Sequence, residues 1–310
     1  MYDLVIIGAG PAGLTAALYA GRFRMNTIIL EKMSPGGQII LSPSIENYPG
    51  FPGGISTHEL IEKFKSQVQE LGVKIVPEEV VEIASEHASQ ETVYKLKTSD
   101  NVYQARAVII ATGAQPKQLG AEGEKQLTGR GVSYCGTCDG PFFRNKDVVV
   151  VGAGDRAFED ALFLCEYASS VTLIHRRQGF RASKILEEKA KANPKIKFVL
   201  DSVVEKITGE NKVESVMAKN VKTGRLSEIK CAGVFVFVGI KPNTDFIKNY
   251  LQLDESGFII TQQNTQASRP GIFACGDCCS KSLYQVINAC GEAAVASDSA
   301  HKYLLNQERK

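Results

Sequence analysis

Apolar residues in this chain fall in short unbroken runs that end in glycine, and the runs alternate with stretches of helical period. Residues 3–7 form the first run, rich in β-branched side chains, as a parallel strand buried on both faces requires. They lead into Gly8-Ala9-Gly10-Pro11-Ala12-Gly13, then an alanine-rich helical stretch over 14–20, then a second apolar strand at 27–31 that ends in Glu31. Residues 58–71 carry Leu60, Ile61, Phe64, Val68 and Leu71 on one side, the pattern of an amphipathic helix. Strands are predicted at 73–84, 93–98 and 107–114, the last closing on Thr112-Gly113. From residue 147 the order begins again, with strand 147–151, loop Gly152-Ala153-Gly154-Asp155-Arg156-Ala157, helix 158–167 and strand 171–174. Further strands are expected at 196–199, 203–207, 213–219, 233–238, 257–261 and 272–274, and a final helix at 283–300 is expected to be interrupted at Gly291.

A strand, a glycine loop, a helix and a second strand ending in an acid make the dinucleotide fingerprint. Gly8, Gly10, Pro11, Ala12 and Gly13 let a pyrophosphate approach the helix N-terminus, where the dipole favours negative charge. Glu31 can hydrogen-bond a ribose 2′-OH and repels a 2′-phosphate. The second copy uses Gly152, Gly154, Asp155, Arg156 and Ala157, but its strand ends in His175-Arg176-Arg177, with Arg181 close behind. Basic residues at that place suit a 2′-phosphate, so the second site is expected to take NADP. The fold class that follows is α/β, with two Rossmann-like nucleotide-binding domains.

Between the two loops lies Cys135-Gly136-Thr137-Cys138-Asp139. A pair at this spacing can close into a disulfide ring and reopen, and the context lowers a thiol's pKa. It can also be half of a zinc site, and Cys275-Gly276-Asp277-Cys278 repeats the spacing. Against zinc stands the long separation of the two pairs, so no metal is expected. A second redox pair there, with Cys279 as a further candidate, stays open.

Length and charge narrow the classes. A chain of 310 residues accommodates two ordinary domains, and Lys+Arg 36 against Asp+Glu 34 argues for neither nucleic acid nor a membrane surface as partner. The first residues run straight into a strand, with no basic region or cleavage site of a signal peptide. Eight cysteines in that setting read as intracellular thiols, and the expected compartment is the cytoplasm.

The chain resembles the low-molecular-weight, bacterial-type thioredoxin reductases over essentially its whole length. The stretches that carry the resemblance are 8–13, Gly36-Gly37-Gln38, Glu46-Asn47-Tyr48-Pro49-Gly50, Ala111-Thr112-Gly113-Ala114, the segment 135–140, His175-Arg176-Arg177 with Phe180-Arg181-Ala182, and Gly276-Asp277. It implies an FAD domain from residues 1–115 and 245–310, an NADPH domain at 116–244 inserted into it, and a homodimer. It places Gly37, Gln38, Asn47, Thr112, Gly113, Gly276, Asp277 and Gln285 among the flavin-binding residues. Electrons would pass from NADPH through FAD to the Cys135/Cys138 pair and on to a thioredoxin-like protein. Cys138 would face the flavin, Cys135 would attack the partner, and Asp139 would be the general acid. Meeting flavin and partner in turn implies rotation of the domains about 113–118 and 239–243.

Three departures stand out: Arg156 where serine is usual, Tyr284 where arginine is common, and Cys275 and Cys278 where small or aliphatic residues are usual. Arg156 is expected to add a phosphate contact or to crowd the pyrophosphate. The alternatives are a related flavin disulfide reductase fed by ferredoxin or another donor, and a flavin redox sensor that does not turn over.

Overall fold

Residues 1–41, 44–45, 47–88 and 91–308 are described in the computed structural model; the side chains of residues 41, 87, 88, 91, 137, 138 and 308 lie outside that description. The chain divides into two compact units, Met1–Gln115 with Lys241–Lys310, and Pro116–Ile240. The return crossing falls at 240/241, earlier than residue 245, because Asn243 is tied to the first unit. Its Nδ2 donates to the Thr112 carbonyl and its N–H to the Gly113 carbonyl.

In the first unit the unbroken apolar runs become central strands. The sheet runs in the order Lys74–Val76, Thr27–Leu30, Tyr2–Ile7, Val102–Ile110, Glu91–Lys97, Glu82–Ala88, and Ile272–Ala274 also pairs with Val102–Ile110. The first three strands and Val102–Ile110 pair in parallel, as does Ile272–Ala274, whereas the last two are an antiparallel addition. Leu4, Val5 and Ile6 have no exposure at all, which is why the run shows no alternation. The expected strand 73–84 splits into Lys74–Val76 and Glu82–Ala88 around Pro77, which cannot donate to a ladder.

Three helices frame this sheet: α1 (Pro11–Arg22), α2 (Thr57–Glu70) and, at the end of the chain, α7 (Val286–Glu308). Helix α1 buries Ala12, Ala16, Ala17 and Ala20, small side chains that let α7 approach closely, and Ser297 Oγ donates to the Ala16 carbonyl at 2.7 Å. Helix α7 does not break at Gly291. Glycine in a helix interior costs about 1 kcal/mol, and burial of Ala289, Ala293, Ala296 and Ala300 along α7 offsets it. The strand expected at 257–261 is absent; isolated bridges from Ile259 to Leu253 and Cys279 hold that segment instead.

The second unit has a parallel sheet in the order Val132–Ser133, Gly233–Val236, Asp147–Val151, Ser170–Ile174, Ile196–Val199. An antiparallel sheet of Ser202–Thr208, Ser215–Asn220 and Leu226–Lys230 accompanies it. The last strand has no apolar run, being almost wholly exposed, and the sequence pattern does not announce it. Helices α3 (Glu124–Leu127), α4 (Gly136–Asp139), α5 (Asp155–Leu164) and α6 (Lys184–Ala192) complete the unit. Of these, only α5 was expected from periodicity.

Candidate functional site

The first glycine loop is shaped by close backbone contact. A side chain on Gly13 would put its Cβ 1.8 Å from the Gly8 carbonyl oxygen, so that turn admits only glycine. Gly10 caps α1 and Pro11 is its first residue, where a missing N–H costs nothing. Glu31 reaches back to the loop: its carboxylate accepts from Ala9 N at 2.6 Å and Met33 N at 2.9 Å. The turn Gly37–Leu41 is tied to the same loop through Gly36 N, which donates to the Ala9 carbonyl. Beside it, the Gln38 Oε1 is buried with no hydrogen-bond partner among the described residues. A buried acceptor left open next to a phosphate-type loop fits a missing donor, and a dinucleotide such as FAD supplies one.

Residues far apart in sequence converge here. Asn47 Nδ2 donates to Gln285 Oε1 at 3.0 Å across the unit. Gly276 lies so near α1 that a Cβ on it would come within 2.8 Å of the Ala12 Cβ. Its N–H donates to Glu292 on α7, and Glu292 in turn holds Lys281 and accepts from Asn288. Burial pushes the neighbouring Asp277 carboxyl upward, with the Lys281 cation opposing. Thr112 Oγ1 donates to the Asn243 carbonyl. Lys281, Glu292 and Asn288 shape this corner and carry no motif by which sequence could single them out. Beyond the Asn47–Gln285 pair, a mainly apolar cavity of about 310 Å³ is lined by Leu14, Leu18, Tyr48, Phe64 and Cys290. Burial there raises the Tyr48 hydroxyl to about 12.

In the second unit, α5 opens at Gly154 after Gly152, with Ala157 buried in its first turn. The segment after Ser170–Ile174 is folded back by three ties, the first two of them to this loop. Arg181 N donates to the Ala153 carbonyl, Ser183 N to Asp155 Oδ1 at 2.6 Å, and Gln178 to Asp201. Asp155 thus positions the basic segment. Arg176, Arg177 and Arg181 are exposed, and none is in an ion pair among the described residues. Burial, with these three cations beside it, lowers the His175 pKa, so its imidazole stays neutral at pH 7. Three unpaired guanidiniums next to a glycine loop fit the 2′-phosphate of NADPH.

Arg156, in the same loop, has contacts that the sequence did not indicate: Nη2 donates to the Tyr134 carbonyl at 3.0 Å, and the guanidinium lies over the Phe237 ring. Cys135, the next residue after Tyr134, is disulfide-bonded and buried. Its N–H donates to Ser133 Oγ, which donates to the Cys135 carbonyl, so one hydroxyl braces the start of α4. The side chain of Cys138 lies outside the described residues. Asp139 ends α4 and is partly exposed. Cys275, Cys278 and Cys279 are buried free thiols, with Cys278 Sγ 4.0 Å from Cys279 Sγ. Burial raises the Cys275 thiol well above its ordinary range.

One further group was missed in sequence. Asp160, a turn beyond Arg156 on α5, is 6 % exposed, and burial raises its pKa to about 7 against the pull of Arg156. Its folded pKa lies above the unfolded one. The folded state therefore gains stability from the bound proton below about pH 4 and loses it as pH rises to about 7, by ~1.4 kcal/mol per pH unit at most. Asp160→Asn is expected to raise the melting temperature at pH 7.5 relative to pH 4.5, compared with the parent. Equal shifts at both pH values would contradict this.

Residues 2–293 match the pyridine nucleotide-disulphide oxidoreductase family. A thioredoxin reductase of Peptoclostridium litorale is 43% identical over 310 residues, spanning 98% of this chain and 97% of that protein. The crystal structure of Lactococcus lactis thioredoxin reductase superposes with a TM-score of 0.95 at 42% identity, covering 99% of this chain and 100% of the other. That of the T. acidophilum enzyme superposes at 0.91 and 35% identity, covering 97% and 98%.

Proposed function

The chain belongs to the pyridine nucleotide-disulphide oxidoreductase family, and from that premise we propose that it is a cytoplasmic, homodimeric, NADPH-dependent thioredoxin-disulfide reductase working through FAD and a Cys135–Cys138 disulfide. The observation that carries the reading is the disulfide at Cys135, in the unit that also holds the second glycine loop and its unpaired arginines. Similarity to thioredoxin reductases at 43% identity over nearly the whole chain supports the choice of acceptor.

FAD would be held by the first loop, Glu31, Gln38, Asn47, Asp277 and Gln285, and NADPH by the second loop with His175, Arg176, Arg177 and Arg181. The chemistry these groups supply when bound is delivery of two electrons to a disulfide. The residues of the chain do the rest. Two electrons break the S–S bond; Asp139, next to the pair in sequence, gives a proton to the Cys138 sulfur, and Cys135 is left as the thiolate. The Cys135 thiolate attacks the acceptor disulfide to form a mixed disulfide, releasing one acceptor thiol. Cys138 then attacks Cys135, which frees the second thiol and restores the starting bond.

Anaerobic titration of the FAD-loaded protein with NADPH and, separately, NADH tests the donor. Flavin bleaching is expected with NADPH at rates far above those with NADH. Reduction by dithionite but by neither nucleotide would overturn the NADPH reading in favour of a ferredoxin-type donor.

A further inference from the structure

The turn that carries Cys135 is gripped from α5 by two side chains that the reaction above does not use. Arg156 takes the carbonyl of Tyr134, directly before Cys135. Asp160 presses on Gly136, directly after it: a Cβ on Gly136 would lie 2.8 Å from Asp160 Oδ1 and 3.0 Å from its Cγ. The two are joined, Arg156 Nε lying 3.8 Å from Asp160 Oδ2, and the Asp160 side chain is only 7% exposed. A buried carboxyl thus packs on Gly136, the residue that follows a cysteine whose charge changes whenever the disulfide opens.

We propose that Asp160, oriented by Arg156, is a proton-coupled positioning residue for the Cys135 disulfide: it seats the turn and binds a proton as reduction puts negative charge on the sulfur. The inference rests on Cys135 cycling between disulfide and thiol. The balance is simple. Two electrons from the donor break the S–S bond, one sulfur takes a proton, and the other remains a thiolate. The Asp160 carboxylate takes one further proton from solvent and releases it when the acceptor disulfide reoxidises the pair.

Electrostatics give the direction. A thiolate beside a buried carboxylate is a like-charge pair in a poorly solvated place, so each raises the other's proton affinity. The charge state that matters is reached near neutrality, because burial already holds Asp160 at about 7. The other groups bearing on it are few. Arg156 opposes protonation and Glu159 favours it. On α4 the titratable residues are Asp139 and the cysteine at 138. Asp147–Val151 and Ser170–Ile174 present Val148, Val150, Val171 and Leu173 to the interior of the unit, and Phe143 lies in the turn after α4. On α6, Glu187 is occupied by Lys184 and Lys191.

The test is the thiol–disulfide equilibrium of Cys135 in the FAD-loaded protein against glutathione buffers from pH 6.0 to 8.5, read by alkylation and peptide mass spectrometry. Above the Asp160 transition, Asp160→Asn is expected to be reduced more easily than the parent, by about tenfold in the equilibrium constant or ~30 mV. At pH 6.0 the two should agree within about twofold, because the carboxyl is then neutral in both. Arg156→Met, which leaves the carboxyl in place, should move the parent's break in the potential–pH line to higher pH, and it serves if the Asn variant does not fold. Parallel potential–pH lines for parent and Asp160→Asn, or an unmoved break in Arg156→Met, would overturn the coupling while leaving the reductase reading intact. A Cys135 that stays oxidised at every glutathione ratio would overturn both.

Discussion

Replacing Cys135 by serine is expected to abolish reduction of a protein disulfide, with a loss of at least roughly 10³-fold in kcat, about 4 kcal/mol of lost transition-state stabilisation. Bleaching of the flavin by NADPH should stay within about twofold of the parent. The contrast follows from the chemistry of the sulfur. An alkoxide is far less accessible than a thiolate at neutral pH, and an oxygen cannot form the S–S bond that transfers the electron pair. The two glycine loops are built from other residues, so the step upstream should survive. Stopped-flow absorbance at the flavin band, run beside a thioredoxin-coupled assay, reads both halves. Equal loss in the two would mean that the substitution disturbs the unit and not the chemistry. Turnover that survives serine at Cys135 would place the exchanging sulfur elsewhere.

The second large effect is expected from Arg176→Ala with Arg177→Ala. Both guanidiniums are exposed and carry no ion pair among the described residues, so their removal leaves no buried charge unpaired. Each charge-assisted contact to a phosphate contributes about 1.5–3 kcal/mol. Losing two should lower kcat/KM for NADPH by roughly 10²-fold or more. NADH has no 2′-phosphate, and its kcat/KM should move by less than about threefold; the preference between the nucleotides would then narrow or reverse. The loss should appear mainly in KM, since the phosphate is remote from the transferred hydride. Equal losses with both nucleotides would show that the cluster supports the fold of the loop and does not read the phosphate.

Asp160 illustrates where sequence reading stopped. It follows Arg156 by one helical turn, and the residues around it, Ala157, Phe158, Ala161 and Leu164, form the buried face of α5. An acid on an apolar face at helical spacing was therefore a visible signal, but what it touches was not. Arg156 shows the same limit. Its position in the glycine loop pointed to a phosphate but gave no sign of its contacts with the Tyr134 carbonyl and the Phe237 ring. The corner formed by Asn47 and Gln285 goes further, since the two residues meet across nearly the whole chain. Lys281 and Glu292 pair where no motif marks either.

The two strand–glycine–helix units, the opposite charge of Glu31 and of His175-Arg176-Arg177 at their second strands, and the Cys135/Cys138 spacing are all legible in the order of residues. These features are local: the residues act within a few positions of one another, and backbone sterics and strand burial impose the pattern directly. Tertiary structure alone decided the continuity of α7 through Gly291, the convergence of Gly276 on Ala12, and the grip of Arg156 and Asp160 on the disulfide turn. Each of these depends on which faces pack together. Packing is a sum over contacts distant in sequence, and no local window contains it.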